Sequence, residues 1–213
     1  ANGDIDKVYD MIQSGVDVNQ ENDNGETSLF IAAEKGHLGV IRLLVENGAN
    51  IETPDNRGAT PIYVAATFGN LEVVRLLAEF GANVDTPNNY GQTPAFIAAS
   101  YDHLEVVRLL AELGANVESP DNNGATPTSI AAQEGNLEVV RLLAELGANV
   151  ETPDNDGVTP MFITAQEGNL EIVSLLAELG ANVETPNNNG STPVLAAAFH
   201  ADVEMVRLLA ELG

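Results

Sequence analysis

The feature that most constrains this chain is a period of 33 residues. Gly25, Gly58, Gly91, Gly124, Gly157 and Gly190 stand 33 residues apart, and each is followed two places on by a threonine (Thr27, Thr60, Thr93, Thr126, Thr159, Thr192). A second register runs in step: Gly48, Gly81, Gly114, Gly147 and Gly180 each precede Ala-Asn. No insertion breaks either series. A fixed period of this length marks a solenoid, in which one small unit is stacked repeatedly.

The unit over residues 58–90 shows why the period folds as it does. Thr60 is placed to accept a bond from an orphan first-turn amide, and Pro61 sits at N1, where its missing donor is harmless. Ile62, Ala65 and Ala66 give a small-residue face that lets helices approach closely. Gly69 ends this helix in the left-handed conformation, and Asn70 is positioned to cap a second helix. Leu71, Val73, Val74, Leu76 and Leu77 form that helix's apolar stripe, Gly81 stops it, and Thr86 to Gly91 is turn chemistry. Both helices fall below the ~12–15 residues at which an isolated helix becomes marginal, so neighbouring units must stabilise them.

Helix, turn, helix and turn at this period, with Gly-x-Thr-Pro and Leu-Leu-x-x-x-Gly-Ala, resembles the ankyrin repeat family over the whole chain. The resemblance implies an all-α solenoid curved as a right-angled stack. Its β-hairpin-like fingers stand in a row, the first helices line a concave side, and the second helices form a convex back. The units expected are a partial repeat at 1–24, repeats at 25–57, 58–90, 91–123, 124–156 and 157–189, and a truncated repeat at 190–213. Three departures stand out. The family's His after Thr-Pro-Leu is replaced by Phe30, Tyr63, Phe96, Ser129, Phe162 and Leu195, so packing is expected to replace its polar network in most repeats. Asp102 and Ala201 replace the inter-helix Gly, so those turns are expected to differ. Thr164 replaces an Ala in the small-residue face. Neither end carries the polar outer face of a terminal repeat, and a fragment of a longer protein is expected.

Charge narrows the partners. Thirty-two acids against eight bases give a formal charge of −24 and a pI near 4.1. Nucleic acid and anionic membranes both require basic surface, so neither is expected as a partner. Cysteine is absent, which removes thiol chemistry and Cys-ligated zinc. No apolar run approaches the ~18 residues of a membrane span, and no signal peptide is visible. An intracellular, cytoplasmic monomer is expected.

Surface columns account for most charges. Glu72, Glu105, Glu138, Glu171 and Glu204 are followed at i+3 by an arginine in four cases (Arg75, Arg108, Arg141, Arg207) and then at i+4 by a further Glu. Such pairs knit a solvated back. A second column, Glu52, Asp85, Glu118, Glu151 and Glu184, should repeat every ~8–10 Å. Repulsion at that distance is only about 0.4 kcal/mol in water, so a solvated face is expected, able to steer a basic partner. Asp154-Asn155-Asp156-Gly157 lacks the spacing of a calcium hand and reads as a turn. No Ser, His and acid recur together as a nucleophile and its base. No catalytic, cofactor or metal residues are assigned, and no enzyme activity is expected.

Where repeats differ on the expected concave side, a contact surface is expected: Arg57, Phe68, Tyr90, Gln92, Tyr101, Asn123, Gln133, Asp156, Gln166 and Phe199. Aromatics are only 5% of the chain, yet Phe68, Tyr90 and Tyr101 fall in adjacent repeats beside Arg57, and such residues anchor interfaces. The competing reading is that Phe68 and Tyr101 simply pack on each other. The function that the resemblance implies is a protein-interaction scaffold or adaptor holding a protein or peptide with basic and apolar groups. A structural spacer, an engineered ankyrin binder and the targeting region of a larger enzyme remain alternatives.

Overall fold

The computed structural model describes residues 2–213, with side chains from residue 5 onward; Ala1 of the expected partial unit lies outside them. The helices in chain order are α1 (Asn2–Gln13), α2 (Ser28–Glu34), α3 (Leu38–Glu46), α4 (Pro61–Thr67), α5 (Leu71–Glu79), α6 (Pro94–Ser100), α7 (Leu104–Glu112), α8 (Pro127–Glu134), α9 (Leu137–Glu145), α10 (Pro160–Glu167), α11 (Leu170–Glu178), α12 (Pro193–Phe199) and α13 (Val203–Leu212). No strand occurs among the described residues. Even-numbered helices pack on one another in sequence, as do odd-numbered ones, and each even helix packs on the odd helix after it. The result is two parallel layers.

Local chemistry sets the helix ends. Thr60 is extended, and its Oγ1 accepts the Tyr63 amide at 3.4 Å, with Pro61 starting the helix. The same bond forms at Thr27, Thr93, Thr126 and Thr159. Gly69 is left-handed, as expected (φ 67). Asp102 and Ala201 do not change their turns: they adopt the same conformation at φ 59 and 56, despite carrying a Cβ that opposes it. The stack dictates the backbone there, and the side chain bears the strain.

The core runs unbroken through the array. Leu29, Ile62, Ala95, Thr128 and Met161 occupy one register position and are sealed from solvent. Phe30, Phe96 and Phe162 are buried where the family carries His. Ser129 instead closes a capping box with Thr126. Leu195, at the same position in the last unit, is 55% exposed. Thr164 fits the small-residue face by donating its hydroxyl to Pro160 O at 2.7 Å.

Polar ties cross the boundaries between successive repeats up to residue 189. Asn70 stands at the N-cap of α5 but makes no capping bond. Its Nδ2 donates to Ala33 O and Glu34 O at the end of α2, 2.9 and 2.8 Å away. Asn136 does the same to Ala99 O and Ser100 O, and His103 places Nε2 3.0 Å from Thr67 O. The expected local cap is therefore an inter-repeat clamp, which satisfies the orphan carbonyls of the preceding helix.

The acidic column is a second clamp rather than only a solvated face. Asn83 N donates to Glu52 Oε1 (2.7 Å), Asn116 N to Asp85 Oδ1 (2.9 Å), Asn149 N to Glu118 Oε1 (2.7 Å) and Asn182 N to Glu151 Oε1 (2.7 Å). Asn19 fills the role in the first unit, its Oδ1 accepting Asn50 N at 2.8 Å. A bond to a charged acceptor is the stronger kind, which explains an acid at this position. On the back, the acid–arginine pairs are i,i+3 contacts near the distance limit: 3.9 Å for Arg75–Glu72 and Arg108–Glu105, and 3.8 Å for Arg141–Glu138. Among the described residues the i+4 pairs do not close.

Two outcomes test this account. Glu118→Ala should lower stability by about 1 kcal/mol by leaving the Asn149 amide without its acceptor, whereas Glu184→Ala should change it by less than about 0.5 kcal/mol. Ala201→Gly should raise stability by about 1 kcal/mol by relieving the left-handed alanine. Urea unfolding of each variant measures both.

Candidate interaction surface

The fingers begin from short turns closed by their own side chains. Asp55 Oδ1 accepts the Arg57 and Ala59 amides, both at 2.9 Å, while its N donates to Ala59 O. Asn22, Asn88, Asp121, Asp154 and Asn187 repeat the arrangement. Asp154 Oδ1, the carboxylate of the calcium-like segment, thus holds the Asp156 and Val158 amides of its own loop. Fingers then join to one another. Asn89 N donates to Arg57 O at 2.9 Å, and Asn89 Nδ2 to Asn56 O at 3.2 Å. A Cβ on Gly58 would lie 2.8 Å from the Asn89 backbone N, so this close approach admits only glycine.

This frame projects the residues that differ between repeats. Arg57, Tyr90, Asn123 and Asp156 occupy successive finger tips and are exposed, while their backbone carbonyls accept the next finger's amide. Phe68 and Tyr101 end α4 and α6, and Gln133 and Gln166 lie in the last turns of α8 and α10. Phe68, Tyr90 and Tyr101 are 54%, 60% and 57% exposed. Tyr101 stacks on His103 (centroids 6.4 Å apart, planes at 29°), and no ring pair with Phe68 occurs among the described residues. Phe199 is 87% exposed in the last unit, edge-on to His200 and away from the others.

Repeats two and three are further joined by a group the sequence reasoning did not single out. Tyr63 is buried, and its hydroxyl donates to Gln92 Oε1 at 3.2 Å while accepting from Asn88 Nδ2 at 2.9 Å. Asn88 Nδ2 also reaches Gln92 Oε1 at 3.2 Å. Arg57 donates through Nε to Asp55 Oδ2 at 3.1 Å, leaving most of its side chain in solvent. Burial pushes the Tyr63 phenol well above its ordinary value, and the neighbouring Tyr101 and Asp55 add to this while Arg57 and the Asn88 amide oppose it. Gln92 is thereby tied to Tyr63 and Asn88. The signal was Tyr63 at the family's His position, which promised a polar partner there.

The family model for ankyrin repeats, in three copies, matches residues 1–88, 80–154 and 147–213. The chain belongs to the ankyrin repeat family. No curated protein matches it. Ankyrin repeats generally mediate protein–protein interaction, and the fold is typically a non-catalytic interaction module. No helix among the described residues is long and apolar enough to cross a membrane.

The buried phenol makes a measurable prediction. A raised folded-state value means that neutral Tyr63 stabilises the fold fully below the unfolded value of about 10, and that this contribution is lost as pH rises through the folded value. In a spectroscopic alkaline titration of native protein against Tyr63→Phe, the absorbance missing from the variant should be the part that appears last. Its loss from the early part of the curve would contradict the burial.

Proposed function

We propose that this ankyrin array is a scaffold or adaptor module that holds a protein or peptide through its concave face and finger loops. The observation that carries the reading is the group of exposed rings at Phe68, Tyr90 and Tyr101 in consecutive repeats. Large exposed aromatics gathered in one part of a surface are characteristic of interfaces, where they bury much area with little loss of side-chain freedom. Tyr101 lies on His103, and His103 is tied to the Thr67 carbonyl. A formal charge of −24 adds long-range attraction for a basic partner.

The finger tips belong to the same reading. Arg57, Tyr90, Asn123 and Asp156 share one backbone hydrogen-bond pattern and differ in side chain. A common frame with variable tips supports recognition, because the frame fixes position and each tip supplies its own chemistry. Gln92, Gln133 and Gln166 add amides able to donate and accept.

The test is affinity capture with the intact array beside Phe68→Ala/Tyr101→Ala, both folded by thermal melt. A partner bound by the intact array should bind the double variant at least about tenfold more weakly, corresponding to ~1.4 kcal/mol. Equal binding by both removes the aromatic surface from the reading. Absence of any specific partner favours a spacer.

A further inference from the structure

One register position, read along the array, gives the surface a direction. Lys35, Phe68, Tyr101, Glu134, Glu167 and His200 each stand immediately before the left-handed residue that ends the first helix. All six left-handed residues have φ between 56 and 83, so the six residues before them stand at equivalent places in the repeat, and all six side chains are exposed. The first three are pinned from behind. The clamps from Asn70, His103 and Asn136 grip the carbonyls just before Lys35, Phe68 and Tyr101.

The chemistry changes in steps along this row. Lys35 is neutralised by Glu34 at 2.6 Å. Two aromatic rings follow, then two carboxylates, and among the described residues neither Glu134 nor Glu167 forms an ion pair. Helices in adjacent repeats pack at ~8–10 Å, and an extended chain advances ~3.3 Å per residue. Every third residue of an extended segment therefore meets the next member of the row.

We infer that the row is a linear reader for an extended peptide with apolar side chains at two positions three residues apart, followed at the next two such intervals by Arg or Lys. The apolar pair lies on Phe68 and Tyr101, and the basic pair meets Glu134 and Glu167. This deepens the scaffold reading and rests on it. Charge complementarity selects the occupant: opposite charges suit the acidic half, whereas a nucleic acid or an acidic segment would be repelled there. The aromatic half orients the peptide, since a basic side chain gains most beside the paired carboxylates and an apolar one beside the rings.

The experiment is selection of a displayed random peptide library on the full chain, followed by anisotropy of the enriched peptides on three variants: F68S/Y101S, E134Q/E167Q and the conservative F68L/Y101F. Thermal unfolding verifies that each folds. The inference predicts peptides with the three-residue spacing, bound about tenfold more weakly by each of the first two variants. The E134Q/E167Q loss should shrink in high salt, and F68L/Y101F should retain most of the affinity. Enriched peptides without the spacing, or bound by F68S/Y101S as by the native chain, overturn the linear reader and leave the scaffold reading standing. No enrichment at all on the native chain overturns both.

Discussion

Everything in this molecule depends on contact between neighbouring repeats. Helices α2, α4, α6 and α12 are 7 residues long, and the second helices from α3 to α11 are 9. Helices this short do not persist alone in water, because nucleation is unfavourable and few bonds follow it. Burial of one small-residue face against the next is what holds them.

Apolar contact alone would permit sliding along so regular a surface, and the polar ties fix the register. Three kinds of tie recur along the array: a carboxylate to the Gly-Ala-Asn amide at four boundaries, an Asn or His to the end of the preceding first helix at three, and finger to finger at five. They also explain how so acidic a chain is tolerated. Glu52, Asp85, Glu118 and Glu151 each accept a backbone amide at 2.7–2.9 Å, which offsets weak repulsion between neighbours about 10 Å apart.

The candidate surface was legible in part. Phe68, Tyr90 and Tyr101 were visible because rings at positions expected to see solvent need a reason, and the structure leaves all three exposed. Tyr63 was harder: it is buried, and its partners Asn88 and Gln92 are 25 and 29 residues away. Asn70 and Glu118 were misjudged for a related cause. A polar residue next to a helix or turn reads as local capping or solvation, and nothing in the local sequence shows a partner a whole repeat away. The left-handed turns at Asp102 and Ala201 run against local preference, and the stack overrides it.

The sequence by itself determined the ankyrin architecture, the helix positions within each unit and the acidic character, because each follows from a pattern repeated in one chain. Thr-Pro starts, glycine stops and apolar stripes act over a few residues, and repetition removes ambiguity. The tertiary structure decided which polar groups face solvent and which bind the next unit. It also decided that Tyr101 rests on His103 rather than Phe68, and that Gln92 is bonded to the buried Tyr63 of the preceding repeat. Those outcomes depend on how far one repeat is displaced on its neighbour, a distance set by packing and not written in any single unit.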